Sequence, residues 1–402
     1  MDKQEKAKLT KETSKRLLFI EIIIYILFWL GPLTGNVILV LFGVLSTEFS
    51  VPPSSLLIAI PSFMFPFAII QLFSGAISDI KGRFPVILFG LILFGFGMFI
   101  AALSFSLMIY VIANVLGGIG FGFVNPVLIA LMSDITPGPK IPKKMGYLGA
   151  VANLGVGVGP LIAGQIVTYG WRYLYVLFII ITVIGFIVII LLRKQHKIRK
   201  ETSFKLFLSH LSYEIRRISV LLLILSAFLA SHTYLASIIW TSRAFTGVIE
   251  ESLAGLILAL VGIIGALAGV IMGTVIEKKG VSYALIFGLL SLFIGMIILS
   301  LVGTVEIETL VFITIGLIFM GISGGTLIPS IMFYSQTLSK ERRGALAGLA
   351  TAGQFIGIAL VPTTYESFYN SGGIGLVYLV IFIISIFLLV IMSFLYILTK
   401  NR

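Results

Sequence analysis

Long apolar stretches, each close to the length needed to cross a bilayer, follow one another along nearly the whole chain. A membrane-spanning helix needs about 20 consecutive, mostly apolar residues. Twelve stretches meet this requirement, at residues 17–44, 54–77, 85–105, 108–132, 146–168, 173–192, 218–240, 253–276, 282–303, 309–334, 345–366 and 374–398. Only 11% of the residues are charged, whereas a soluble domain has about 25%. The sequence therefore predicts an all-α, multi-pass protein of the plasma or inner membrane with twelve transmembrane helices.

The basic residues lie almost entirely on one side of these spans. Every Lys and Arg except Arg172 and Arg243 falls in the terminal segments or in the connections after spans 2, 4, 6, 8 and 10. Because positively charged loops stay in the cytoplasm, we expect both termini to be cytoplasmic. Residues 1–16 then form a basic cytoplasmic tail, which either only sets the topology or also binds anionic lipid head groups. The net charge of +12 thus indicates the lipid bilayer as a partner, and we expect no nucleic acid.

The two halves of the chain share residues at a constant offset of 198 positions. The residues shared by the ends of spans 2 and 8 are Gly75 and Gly273, Asp79 and Glu277, Lys81 and Lys279, and Gly82 and Gly280. The offset recurs in spans 5 and 11, and a fixed internal period indicates a structural repeat. We therefore predict two six-helix bundles, residues 17–192 and 218–402. The linker, residues 193–217, has apolar residues at helical spacing and predicts an interfacial amphipathic helix; these are Phe204, Phe207, Leu208, Leu211 and Ile215.

The end of span 2 carries a motif that identifies a family. It reads Gly75-Ala-Ile-Ser-Asp79-Ile-Lys81-Gly82-Arg83-Phe. This run and the two six-span repeats resemble the major facilitator superfamily, whose motif is G-x-x-x-D-R-x-G-R-R. A carboxylate at a helix end can pair with an arginine and with the N-terminus of a neighbouring helix. We expect a gating role, in which this pairing holds the halves closed on the cytoplasmic side; the alternative is that the motif only fixes topology.

Span 5 carries a second motif, composed mainly of glycine, with Ala163 where the family has another glycine. Its residues are Gly146, Gly155, Gly159, Pro160 and Gly164. The spacing resembles the antiporter signature of the family's drug:proton antiporter branch, of the twelve-helix multidrug efflux type, and so implies antiport. Glycines at such intervals let helices approach closely, so helix packing alone also explains them. In span 4, Asn114 stands where the family has an arginine linked to proton transfer, which leaves the proton route open.

Few ionisable residues fall inside the spans, and such residues are functional candidates by default. Glu21 in span 1 is either a solvated interfacial carboxylate or a buried proton carrier. His232 in span 7 is either a hydrogen-bonded packing residue or a titrating group that faces the cavity. Asp134 and Glu366 lie at span ends, where we expect them to face loops.

A central cavity between the halves would be lined by a small set of polar and aromatic side chains. The polar and aromatic candidates are Trp29, Asn36, Asn114, Asn125, Asn153, Tyr234 and Gln354, with Phe63, Met64, Trp240 and Met332 as further apolar lining. Each of these residues alone is also explained by helix packing. Near the midplane the candidates carry no charge, and this favours an apolar or amphipathic substrate over sugars, amino acids or small anions.

These features predict a secondary active transporter that exports hydrophobic or amphipathic small molecules by alternating access. Proton antiport, driven by the proton gradient, is the expected mode; the alternatives are a lipid or lysolipid flippase and an uncoupled facilitator of the same fold. An enzyme is not expected, because the chain has no cysteine and its three histidines are scattered. We expect no cofactor, no metal site and a monomer.

Overall fold

The protein, represented by a computed structural model, is built almost entirely of helices. The structure describes residues 3–137, 140–192, 209, 211–338 and 343–399, and within these ranges it contains no strand. The membrane helices are α1 (Lys3–Asn36), α2 (Ala59–Lys81), α3 (Arg83–Ala102), α4 (Leu107–Ile135), α5 (Ile141–Ile166), α6 (Arg172–Leu192), α7 (Ile218–Phe245), α8 (Glu251–Lys279), α9 (Val281–Ser300), α10 (Leu310–Ser335) and a final stretch, Arg343–Thr399. Most of the predicted linker helix lies outside the described residues.

The final helical stretch contains two membrane crossings. Gly372 has φ −144° and Gly373 has φ +63°, which breaks the helix between them. We call residues 343–371 α11 and residues 374–399 α12. Within the described ranges, eleven helices are long and apolar enough to cross a membrane, and the last of these runs 55 residues through the break. The predicted all-α fold of apolar membrane helices is therefore confirmed, although the connection between spans 11 and 12 is shorter than predicted because α11 continues past residue 366.

The first crossing differs from its prediction at both ends. Helix α1 already begins at Lys3, in the polar segment assigned to a tail. Toward its other end, Pro32 lacks a backbone N–H and Asn36 donates its side-chain amide to the Pro32 carbonyl at 2.6 Å. The α-helix ends at Asn36, and a 3₁₀ segment, Val37–Val40, and a short helix, Phe42–Phe49, follow. The predicted single helix to residue 44 was therefore wrong, because proline and a competing side chain disrupt the regular hydrogen bonds.

Single glycines reverse the chain at equivalent places in the two halves. Gly82 between α2 and α3 has φ +92° and ψ +150°, and Gly280 between α8 and α9 has φ +88° and ψ +165°. This region of backbone conformation is essentially restricted to glycine. The shared geometry is the structural counterpart of the 198-residue sequence offset.

Consecutive membrane helices run in opposite directions, so their ends lie at two faces of the molecule. We call the side on which α1 enters the membrane and α12 leaves it the terminal face, and the other side the opposite face. At the terminal face, Arg83 at the start of α3 contacts Asp134 at the end of α4 at 3.0 Å. At the opposite face, Arg172 at the start of α6 bonds Glu48 at 2.7 Å and the Ser104 carbonyl at 3.0 Å. These contacts tie consecutive connections together on each face.

Alanine at Gly280 tests the glycine turn without a steric change. Within the described ranges no atom of another residue lies within 4 Å of a Cβ placed there, so only the backbone conformation opposes the substitution. We expect Gly280→Ala to cost about 1–3 kcal/mol of stability, seen as a lower thermal midpoint in intrinsic fluorescence. Gly273→Ala, with equally open surroundings but a helical backbone, is the matched control and should not lower the midpoint. Equal midpoints for both variants would contradict the strain argument.

Candidate functional site

The two halves meet where the backbones of α5 and α8 touch. A Cβ at Gly262 would lie 2.2 Å from the Gly157 nitrogen, and a Cβ at Gly255 would lie 2.5 Å from the Pro160 carbonyl oxygen. A Cβ at Gly164 would likewise lie 2.5 Å from the Glu251 carbonyl oxygen. Only glycine permits backbones to approach this closely. The contact runs from the middle of both helices to the opposite face.

The same two helices separate toward the terminal face. Gly146 lies eleven residues before Gly157, and Gly273 lies eleven residues after Gly262, so each is on the same helical face about three turns away. Both are exposed, and no described atom lies within 4 Å of a Cβ at either position. The halves are therefore in contact at the opposite face and apart at the terminal face along α5 and α8.

Helices α2 and α11 form the second junction between the halves and repeat this arrangement. The rings of Phe67 and Phe355 meet edge to face with centroids 4.4 Å apart. Two turns nearer the terminal face, Gly348 lies on the same side of α11 as Phe355, with no described atom within 4 Å of its Cβ position. Both junctions thus open in the same direction.

A hydrogen bond between the halves closes the opposite face. Ser242 near the end of α7 donates its hydroxyl to the carbonyl of Leu39 in the 3₁₀ segment after α1. Both residues are buried. The broken end of α1 is what presents this carbonyl, since an uninterrupted α-helix would use it internally.

The predicted gating motif lies at the terminal face. Arg83 contacts the carboxylates of Asp79 at 2.5 Å and of Asp134 at 3.0 Å, and donates to the Ser78 hydroxyl at 2.5 Å. Gly82 makes the turn described above, Lys81 is exposed and Gly75 has an empty Cβ position. These contacts of Arg83 are all with the first half. In this conformation the motif holds α2, α3 and α4 together. Asp134, which we expected to face a loop, is also the ion-pair partner of Arg83.

The glycines of span 5 divide between two neighbours. Gly155 packs on Pro32 and Leu33 of α1, and Gly159 packs on the Leu33 carbonyl. Gly164 and the Pro160 carbonyl face α8, as described above, whereas Gly146 faces open space. The motif therefore fits α5 between the first half's α1 and the second half's α8.

Glu21 is not an isolated carboxylate. Lys144 at the start of α5 forms an ion pair with it, and both side chains are about four-fifths buried, with 18% of the Glu21 side chain and 23% of the Lys144 side chain exposed. The Lys144 ammonium also lies 5.9 Å from the centre of the Tyr147 ring. Glu21, Tyr25 and Trp29 follow one another at four-residue intervals on one side of α1, so the ion pair is continuous with the interior of the bundle.

His232 packs inside the second half. Its Nδ1 lies 2.7 Å from the Gly357 carbonyl oxygen of α11, so the neutral ring would donate its Nδ1 proton there. The ring stacks between Phe228 and Tyr365, with centroids 5.4 and 5.3 Å away. Of the two interpretations, this geometry favours a hydrogen-bonded packing residue.

The polar candidates for the cavity form two groups. Asn36, Asn114 and Asn153 each donate their amide to the carbonyl four residues earlier in their own helix. Trp29, Asn125, Tyr234 and Gln354 each bury a polar atom that has no hydrogen-bond partner. An unmade bond of this kind costs about 1–3 kcal/mol, which a ligand that supplied the missing partner would recover. Among the apolar candidates, Phe63 packs on the Gly118 backbone and the Met332 sulfur accepts from Thr351.

Five further residues share this property and were not selected as cavity candidates from the sequence. They are Tyr25, Gln71, Trp171, Arg243 and Tyr365. Gln71 could have been found, because it is the only amide side chain in span 2. Lys144 could not have been assigned to Glu21, since 123 positions separate the two residues.

Comparisons with known proteins agree with this architecture. A family model described as Major Facilitator Superfamily matches residues 24–362 and 248–402. The quinolone resistance protein NorA of Staphylococcus aureus (strain COL) is 25% identical over 348 residues, covering 83% of this chain and 87% of the relative. Multidrug resistance protein 2 of Bacillus subtilis (strain 168) is 24% identical over 342 residues, covering 77% and 83%. A crystal structure of a D-xylose-proton symporter superposes with a TM-score of 0.76 at 17% identity, covering 94% and 96%.

Cysteine labelling tests which face is open. The chain contains no cysteine, so single cysteines report their own site. We expect a membrane-impermeant maleimide to label Gly146→Cys and Gly273→Cys, because both positions are exposed. Ala163→Cys in α5 and Ala259→Cys in α8 are matched controls; these alanines are 0% and 1% exposed and should stay unlabelled until the protein is denatured. Protection of both glycine positions would contradict an open terminal face.

Proposed function

The chain belongs to the major facilitator superfamily, and from this membership we propose that it exports hydrophobic or amphipathic small molecules by alternating access, in exchange for protons. Membership in this family makes the chain a multi-pass membrane transporter and not an enzyme. The direction, the substrate and the coupling ion are the proposal. The observation that carries it is the asymmetric interface, in contact at the opposite face and separated at the terminal face.

Alternating access requires two conformations that expose one central site to each face in turn. The glycine contact between α5 and α8 supports this mechanism, because it gives a tight seal that depends on shape and not on strong bonds. Gly146 and Gly273 lie on the same faces as the touching glycines and are small enough to make an equivalent seal at the terminal face. In our proposal the halves rock so that one pair of glycine contacts forms as the other parts.

The charge distribution supports a cytoplasmic terminal face. Basic residues concentrate at that face and in the terminal segments, as expected for cytoplasmic loops. With this orientation, the conformation described here faces inward and accepts substrate from the cytosol or the inner leaflet. The names of two relatives, a quinolone resistance protein and a multidrug resistance protein, support export of drug-like molecules.

We propose Glu21 as the proton carrier. In the conformation described here the Glu21 carboxylate is paired with the Lys144 ammonium. Glu21 lies two helical turns from Trp29 on the same side of α1, and Trp29 has a free indole N–H in the interior. A proton on Glu21 would end the ion pair and free the Lys144 ammonium on the side of α1 that carries Trp29. In our proposal the freed ammonium disfavours substrate near Trp29, so that substrate and proton exclude each other, as antiport requires.

Replacing Glu21 by glutamine tests this assignment. In proteoliposomes with an internal pH dye, we expect quinolones or neutral drugs to drive proton flux through the wild-type protein. Glu21→Gln should lower this flux by about tenfold or more, since an amide takes up no proton at neutral pH. Glu366→Gln, at an exposed carboxylate of α11, and His232→Gln are the controls and should retain the flux.

The other outcomes separate the alternatives. Normal proton flux in Glu21→Gln would refute Glu21 as the carrier. Substrate movement without proton flux in the wild-type protein would refute antiport and favour an uncoupled facilitator. Movement of lysolipid alone would favour a flippase.

A disulfide across the terminal face tests alternating access. We expect Gly146→Cys/Gly273→Cys to cross-link under oxidation when the halves close at the terminal face, which would stop transport until a reductant is added. Gly146→Cys/Gly303→Cys, whose second position lies after the opposite-face end of α9, is the control and should neither cross-link nor lose activity. Full transport by the cross-linked protein would contradict a rocking mechanism.

A further inference from the structure

Four of the buried polar atoms without partners lie at one depth in the bundle. Gln71 and Asn125 are each ten residues from the terminal-face ends of α2 and α4, and Gln354 is eleven residues into α11. Trp29 is twelve residues from Leu17, where the first apolar span begins. At 1.5 Å per residue, these positions are roughly 15–18 Å from the terminal face, close to the middle of a bilayer.

Two of these residues, Gln71 and Gln354, also border the junction between the halves. Gln71 follows Phe67 by one turn of α2, and Gln354 is adjacent to Phe355; the two phenylalanine rings meet across the junction. Gln354 directly follows Gly353, which packs on α7, and lies three residues after Thr351, which bonds to Met332 of α10. We call Trp29, Gln71, Asn125 and Gln354 the polar belt.

The belt mainly offers hydrogen-bond donors. Its unpaired atoms are the indole N–H of Trp29, the amide nitrogens of Gln71 and Gln354, and the amide oxygen of Asn125. Both glutamines are 6% exposed. Three of the four unpaired groups thus need an acceptor, and a ligand with carbonyl, ether or phosphoryl oxygens would supply one.

No carboxylate accompanies the belt. Of the 16 acidic residues in the sequence, those within the described crossings lie near a membrane face. Glu21 is near the terminal face and paired with Lys144, and Glu366 is exposed in the last turns of α11. A cation at mid-depth would lose its hydration and meet no counter-charge, which is strongly unfavourable.

An arginine places a positive charge between the polar belt and the opposite face. Arg243 near the end of α7 is half-buried, its guanidinium lies 5.6 Å from the centre of the Tyr369 ring, and its buried Nε has no partner. Within the described residues it forms no ion pair. Arg243 would repel a cationic substrate. A contact with an aromatic ring stabilises a cation by less than the cation loses when it leaves water, so the Tyr369 ring does not offset this repulsion.

We propose that the interior accepts substrates that carry hydrogen-bond acceptors and no fixed positive charge, with Gln71 and Gln354 as the residues that set this preference. The inference rests on the proposed transport function and names the substrate class of the same site. Lipophilic cations are excluded because the site lacks a carboxylate.

Two probes of nearly equal size separate the classes. Triphenylphosphine oxide is neutral with a strong acceptor oxygen, and methyltriphenylphosphonium is a permanent cation without an acceptor. For the full chain in nanodiscs, isothermal titration should show the oxide bound about tenfold or more tightly than the phosphonium, as expected of a site with unpaired donors. Gln354→Glu should reverse this order, and Gln354→Met should weaken binding of the oxide without admitting the cation. Gln71→Glu, from the other half, repeats the test if the first variant does not fold.

The outcomes distinguish this inference from the transport proposal. Phosphonium binding as tight as oxide binding in the wild-type protein overturns the inference, even if proton-coupled transport is intact. Binding of neither probe overturns it as well. Absence of compound-driven proton flux and of any substrate movement overturns the proposed function, whichever probe binds.

Discussion

The backbone contact between α5 and α8 is the constraint on which the arrangement of the two halves depends. Gly157 and Gly262 bring the helices together with no side chain between them. Inside a membrane, apolar side chains gain little by leaving lipid for protein, so close packing supplies much of the attraction between helices. A contact of this type is tight but has no strong directional bond to break, which suits an interface that must open.

The polar groups of the interior are arranged around this interface in two classes. Asn36, Asn114 and Asn153 bond within their own helices. The polar belt keeps its groups unbonded. In a low-dielectric interior such groups are costly, and they are the places where a bound molecule gains most. Packing thus decides which polar residues bond within their own helix and which stay unbonded.

Charged groups are kept to the two faces, where they hold neighbouring helices of one half together. Arg83 joins α2, α3 and α4, Lys144 joins α5 to α1, and Arg172 joins connections on the opposite face. These ion pairs leave the junction between the halves free of salt bridges within the described residues. In the proposed mechanism the movement of the halves as units therefore breaks none of these ion pairs.

The sequence by itself determined the fold class, the alternation of the crossings and the repeat, because each of these follows from local composition and from glycines at a fixed offset. It also singled out Trp29, Asn125, Tyr234 and Gln354 as interior polar groups. It could not separate them from the three asparagines, since whether an amide bonds its own helix or stays free depends on rotamers and neighbours. Only the tertiary structure paired Glu21 with Lys144, buried His232 between Phe228 and Tyr365, and showed that the interface opens toward one face. The Glu21–Lys144 and His232–Gly357 contacts join residues more than a hundred positions apart, and no local pattern encodes them.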